Sequence, residues 1–179
     1  MPQITVHDLD VYYRDDGSGI PIVLGHSSTG SGGQWRALSK QMANQYRLIA
    51  PDHIGYGRTA AFAGQMPLMG HEIAIVEALL EVLAQPVHLV GHSYGGAILA
   101  RTAVRVPEKM RSLTLYSDGC SICSLPQARW RSTMRSNPSR IASFITSAPT
   151  TPKKPHVVSS IIGSAPVHTK RWMINCATL

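Results

Sequence analysis

What this chain lacks narrows its class before any motif is read. None of its apolar runs reaches the about 18 uncharged residues that a membrane-spanning helix requires. Met1 to Asp10 carry acidic and imidazole side chains and no apolar stretch, so the N-terminus does not read as a secretory signal, and cytoplasmic residence is the expectation. There is no internal repeat and no long low-complexity run. Cysteine is scarce, with Cys120, Cys123 and Cys176 the three in 179 residues. Cys120 and Cys123 have metal-ligand spacing, and Cys176 and His168 could extend the set. No second closely spaced pair accompanies them, so neither a metal nor another cofactor is expected.

Acid is almost absent from the last third. Residues 1–117 hold nine Lys/Arg and nine Asp/Glu, whereas residues 118–179 hold eight Lys/Arg and one acid, Asp118, so the net charge of +7 sits in that segment. The same 62 positions contain 22 Ser, Thr and Pro residues. The composition thus breaks near Tyr116, and the chain divides into an N-terminal segment, residues 1–117, and a basic, Ser/Pro/Thr-rich tail, residues 118–179. The tail's charges are scattered and match no recognised binding motif, so neither nucleic acid nor membrane is expected as a partner.

What is present in the N-terminal segment is an alternation of short apolar runs with helical patterns. Gln3–Val6 and Val11–Arg14 read as a hairpin pair, and Pro21–Leu24, Arg47–Ala50, Val87–Val90 and Ser112–Tyr116 as buried strands. Between them, Gly33–Tyr46 spaces Trp35, Leu38 and Met42 as a helix does. Met66–Ala84 places Ile73, Val76, Leu79, Leu80 and Leu83 on one face and Glu72, Glu77 and Glu81 on the other, and Ala97–Val104 is a third helix. This order predicts an α/β fold, a mostly parallel sheet with helices on both faces, incomplete at its C-terminal side. In the tail, Arg129–Arg140 and Ala148–Pro155 are weakly periodic, and Val157–Ile162 is the one stretch that reads as a buried strand.

The chemistry concentrates at Gly91-His92-Ser93-Tyr94-Gly95, where a β-branched run meets a helical pattern. Such a Gly-x-Ser-x-Gly junction can turn sharply enough to lift a serine hydroxyl above the sheet, and the glycines leave no Cβ where strand and helix come close. In an open α/β sheet the loops beyond the strands' carboxyl ends converge on one edge. Two further loops occupy that edge here, Gly25-His26-Ser27-Ser28-Thr29-Gly30 and Pro51-Asp52-His53-Ile54-Gly55-Tyr56-Gly57-Arg58. His88 and His92 read as packing or turn residues, and His53 and His71 as ordinary loop and helix-end residues.

In order and spacing these three loops resemble the α/β-hydrolase fold family over residues 1 to about 116. The resemblance implies that Ser93 is the nucleophile and that the backbone N–H groups of Tyr94 and Ser28 form the oxyanion hole. It also implies that His26 shapes its loop and is not the catalytic base, and that Asp52 and Gly55–Arg58 are structural. Ser27 stands where the family usually has glycine. A serine at 93 sets the chain apart from relatives that use aspartate there, such as haloalkane dehalogenases and epoxide hydrolases. The implied function is hydrolysis of a small ester-like substrate through an acyl-enzyme. The alternatives are a catalytically impaired fragment or a non-enzymatic binding protein that keeps the front half of the fold, and a basic-tailed interaction module.

The family's triad continues with an acid and then a histidine. After Ser93 the acids are Glu108 and Asp118 and the histidines are His156 and His168, and neither histidine sits in a recognisable family motif. Asp118, just beyond the Ser112–Tyr116 strand, is the candidate acid. The break near Tyr116 fits a tail translated out of frame. Regrouping GGN TGY TCN ATH TGY TCN, for Gly119–Ser124, one base earlier encodes an apolar segment closer to the family's continuation.

Overall fold

The computed structural model describes residues 1–61, 68–117 and 141–146. Its elements in chain order are β1 (Gln3–Val6), β2 (Leu9–Gly17), β3 (Ile20–Gly25), α1 (Arg36–Met42), β4 (Tyr46–Pro51), α2 (Leu68–Leu83), β5 (Val87–His92), α3 (Tyr94–Arg105), β6 (Met110–Ser117) and β7 (Ile141–Thr146). A 3₁₀ turn, Gly32–Trp35, leads into α1 and is capped by Ser31 Oγ, which accepts from the Gly33 N–H. The strands form one sheet in the order β1-β2-β4-β3-β5-β6-β7. β1 and β2 are antiparallel to each other, β2 is antiparallel to β4, and all remaining pairs are parallel.

The expected α/β architecture is present, a mostly parallel sheet with helices on both faces. Alternation along the central strands sorts their side chains between two cores. Ile22, Leu24, Leu48 and Ala50 pack beneath Trp35, Leu38 and Met42 on one face. Val23, Ile49, Leu89 and Leu113 join Val76, Leu79 and Leu80 of α2 and Ile98 and Leu99 of α3 on the other. Strands covered on both sides become near-continuous apolar runs, which is why β3 is buried from Pro21 to Gly25 and so apolar.

From β3 the chain steps to β4 on one side and then returns through α2 to β5 on the other. The order therefore reverses at β3, and the carboxyl ends of strands flanking such a reversal are where sheets of this kind hold ligands.

Several boundaries differ from the sequence expectation, those of β2, α3 and β7 among them. β2 runs on through Asp15 and Asp16 to Gly17, because it pairs with β4 and its charges are met by Arg47 and Arg14. α3 begins at Tyr94, not Ala97, so its first turn contains Gly95 and Gly96. β7 lies parallel to β6 from Ser112↔Ile141 to Ser117↔Thr146, inside the segment read from composition as a tail. Val157–Ile162 lies outside the described residues, as do all three cysteines. Among the described residues no helix is long and apolar enough to cross a membrane.

The junction of β3, β5 and α3 holds backbone against backbone. A Cβ on Gly95 would lie 2.3 Å from the Gly25 carbonyl carbon, and one on Gly91 2.5 Å from Gly96 Cα. Neither neighbour is a side chain that can turn away. Gly95→Ala is expected to cost about 3 kcal/mol or more, read as a lowered urea midpoint at unchanged slope. Gly70→Ala, where the added Cβ meets nothing within 4 Å, serves as the control and should leave the midpoint unchanged or raise it.

Candidate active site

Ser93 sits between the last residue of β5 and the first of α3 with φ 48° and ψ −112°. A non-glycine residue rarely adopts this conformation, which costs on the order of 1–3 kcal/mol unless its surroundings enforce it. Here they do. The Ser93 N–H donates to the Tyr116 carbonyl at 2.8 Å, its own carbonyl accepts from Ala97 N–H at 3.0 Å, and the Gly95 N–H donates to the His26 carbonyl at 3.0 Å. The Ser93 side chain is half-buried at the head of the helix.

The first N–H groups of a helix have no acceptor within it. The Tyr94 N–H is one of these, at the positive end of the α3 dipole. Facing the elbow is the loop after β3. The Ser28 N–H donates to no acceptor among the described residues, and Ser28 is exposed. Ser27 needs no left-handed backbone, which is how serine replaces glycine there. Both its N–H and its hydroxyl donate to Gln34 Oε1 at 3.0 Å. The Gln34 amide nitrogen in turn lies 3.1 Å from His92 Nδ1. The loop carrying Ser28 is thereby tied to the residue preceding Ser93.

His26 is wholly buried with both ring nitrogens engaged. Its Nε2 accepts from the His53 N–H at 3.0 Å, so the proton is on Nδ1, which donates to the Ser27 carbonyl at 2.7 Å. Burial first, and then the nearby His53 ring, lower its pKa to about 4. It holds the loop in shape, as the resemblance implied. Asp52 is buried as well. Its Oδ1 accepts from Gly32 N–H at 2.7 Å and its Oδ2 from Arg58 N–H at 2.9 Å, with Gly57 at positive φ folded close against the carboxyl group. His88 pairs with Ser112 Oγ at 2.7 Å, and desolvation lowers its pKa.

Two residues depart from the sequence expectation. Glu72, placed there on the solvent face of α2, is wholly buried, and His53 is buried beside it rather than lying in an ordinary loop. Glu72 Oε1 accepts from the Ile54 N–H at 3.0 Å, and Oε2 lies 3.1 Å from His53 Nδ1. His53 Nε2 is buried with no partner among the described residues, which fits a ring carrying its proton on Nδ1. The Tyr94 hydroxyl reaches Glu72 Oε1 at 3.4 Å, and burial followed by Glu72 raises its pKa. A signal was available. Glu72 precedes Ile75, Val76 and Leu79 by three, four and seven residues, the spacing of α2's buried stripe.

The structure thus brings Ser93, Tyr94, Ser28, His26 and Asp52 to one sheet edge. Asp118, His156 and His168 lie outside the described residues. Among the described residues no group of three or more His, Cys, Asp or Glu side chains could hold a metal.

The profile of the alpha/beta hydrolase fold matches residues 20–157, past the compositional break near Tyr116. The putative carbamate hydrolase RutD of Azorhizobium caulinodans is 32% identical over 117 residues, covering 65% of this chain and 44% of its own length. A pimeloyl-acyl-carrier-protein methyl ester esterase of Aeromonas salmonicida is 32% identical over 117 residues, 64% of this chain and 43% of its own. Among solved structures, a variant of the meta-cleavage product hydrolase CumD superposes with a TM-score of 0.55 at 31% identity, covering 66% of this chain and 45% of that one. The match spans a little under half the length of these relatives.

The depressed His26 pKa has a consequence for stability. Unfolded, the ring titrates near 6.5; folded, at about 4. Between these values the unfolded chain binds more protons, so stability falls as pH falls, by at most about 1.4 kcal/mol per pH unit from this group. Above pH 6.5 the contribution is complete. In an NMR titration the His26 Hε1 resonance should hold its neutral position down to about pH 5; a midpoint near 6.5 would contradict the buried, singly protonated ring.

Proposed function

The chain belongs to the alpha/beta hydrolase fold family, and on that premise we propose that it is a serine hydrolase acting on an ester-like carbonyl through an acyl-enzyme at Ser93. The observation that carries this reading is Ser93 itself, held at φ 48° between strand and helix and followed by an N–H that the helix leaves free to meet a ligand. The carbamate hydrolase and methyl ester esterase among the relatives are named for carbonyl substrates of this class.

In the proposed reaction Ser93 Oγ adds to the carbonyl carbon while a general base takes the hydroxyl proton. The carbonyl π electrons move onto oxygen, and the N–H groups of Tyr94 and Ser28 receive the oxyanion. Each such donor is worth roughly 3–4 kcal/mol of transition-state stabilisation, because it is aimed before the charge appears. Collapse expels the leaving group with the base's proton and leaves the acyl group on Ser93. Attack by water, deprotonated by the same base, then releases the acid and restores the hydroxyl. His26 does not serve as base, since both of its nitrogens are occupied. The candidates that the sequence offers for the base are His156 and His168, and for its acidic partner Asp118, all outside the described residues.

Incubation with a fluorophosphonate probe should label the chain on Ser93. Ser93→Ala should lose the label and lower p-nitrophenyl acetate turnover by roughly 10³-fold or more. Label retained by Ser93→Ala contradicts the assignment. A wild-type chain that takes no label and turns over no ester contradicts the enzyme reading and favours a binding protein built on the same elbow.

A further inference from the structure

Glu72 lies outside the residues to which the proposed reaction gives a role, yet its carboxyl group is wholly buried on a helix stripe otherwise filled by Ile75, Val76 and Leu79. A buried carboxyl is costly unless its oxygens are met, and an aliphatic side chain would fill the same stripe without that cost. Its partners come from segments far apart in sequence. Oε1 accepts from the Ile54 N–H in the loop after β4 and from the hydroxyl of Tyr94 at the elbow. Oε2 meets the His53 ring.

From His53 the connections return to the elbow by a second route. The His53 N–H donates to His26 Nε2, and the His26 carbonyl accepts from the N–H of Gly95, the residue after Tyr94. The hydrogen bonds therefore close on themselves, running from Glu72 to His53, to His26, to the Gly95–Tyr94 peptide, and through the Tyr94 side chain back to Glu72. This circuit spans the loop after β3, the loop after β4, α2 and the first turn of α3. The rings pack along it, with His26 and His53 tilted 45° at centroids 4.1 Å apart and Tyr94 edge-on to His53 at 5.5 Å.

Tyr94 is a member of this circuit, and Ser28 lies two residues beyond His26 on the same loop. Those are the two proposed oxyanion donors, and they belong to different segments. We propose that Glu72 is a positioning residue for the oxyanion hole, its carboxyl group closing a hydrogen-bonded circuit that sets the Ser28 and Tyr94 N–H groups at a fixed separation. This rests on the assignment of those two groups to the oxyanion. The role needs an acceptor with two separate oxygens, which a hydrocarbon of the same size cannot supply. A donor pair fixed in advance is what stabilises developing charge, and a misplacement near 1 Å costs on the order of 10²-fold in rate.

The test uses the full chain with Glu72→Gln, which keeps one oxygen for Ile54 and Tyr94 but sets an NH₂ group against the His53 ring, and with Glu72→Met, which removes both oxygens. Amide resonances in ¹H–¹⁵N spectra read the circuit without any turnover. The Ser28 and Tyr94 amides should move together with Ile54 in Glu72→Gln, and further in Glu72→Met, while the β1–β2 amides stay in place. With an ester substrate, Glu72→Met should lower kcat roughly 10²-fold with KM within about twofold, and Glu72→Gln should fall between it and wild type. Should Glu72→Met not fold, Glu72→Gln carries the test by the same resonances. A Ser28 amide unmoved while Ile54 shifts overturns the proposal, as does a rise in KM at constant kcat. A wild-type chain that takes no fluorophosphonate contradicts the nucleophile reading instead, and the amide shifts still decide the circuit.

Discussion

Everything at the carboxyl edge of this sheet depends on one backbone contact. The first turn of α3 rests on the ends of β3 and β5 with no Cβ between them, Gly95 against Gly25 and Gly96 against Gly91. A helix normally packs on a sheet through its side chains; here main chain touches main chain. That approach leaves Ser93 no room for an ordinary strand-to-helix loop and drives it to positive φ. The same closeness lets the Gly95 N–H bond to the His26 carbonyl, which joins the loop after β3 to the start of α3.

The strain at Ser93 is held from both sides. The Tyr116 carbonyl of β6 anchors its N–H, and the hydrogen bond from Gly95 to His26 fixes the helix that follows. Beneath the elbow lies an unusually polar layer of His26, His53, Asp52 and Glu72, all buried. Asp52 and Glu72 both accept backbone N–H groups from loops that have no regular partner of their own. In these loops side chains take the place that ladder hydrogen bonds hold inside the sheet. Removing one partner from a buried polar layer of this kind strands the groups it met, which makes the layer a sensitive place to alter.

Much of this arrangement is legible in the residues. Pro21–Leu24, Arg47–Ala50 and Val87–Val90 announce themselves because strands covered on both faces must be apolar throughout. The elbow is legible because glycine spacing reports a steric demand directly. Other features are hidden for identifiable reasons. The start of α3 does not show because Gly95 and Gly96 are poor helix formers, and tertiary packing overrides that preference. The charged end of β2 does not show because its pairing with Arg47 on β4 is a long-range fact. Strand β7 is masked by the basic, proline-interrupted sequence around it, which sets the character of the window. The charge of Glu72 outweighs its position on the stripe, and the burial of His53 depends on a partner from a different element. The acid and base proposed for Ser93 fall outside the described residues, in the region of the chain where family motifs are weakest.

The proposed function requires Ser93 to be a nucleophile facing two backbone donors already in place. A crystal structure of the chain after reaction with a phosphonate ester tests it most directly, since the phosphonyl oxygen mimics the oxyanion. The expected adduct has phosphorus bonded to Ser93 Oγ and that oxygen about 2.7–3.1 Å from both the Tyr94 and the Ser28 nitrogen. An unmodified Ser93, or an adduct whose oxygen points into solvent away from both groups, would contradict it.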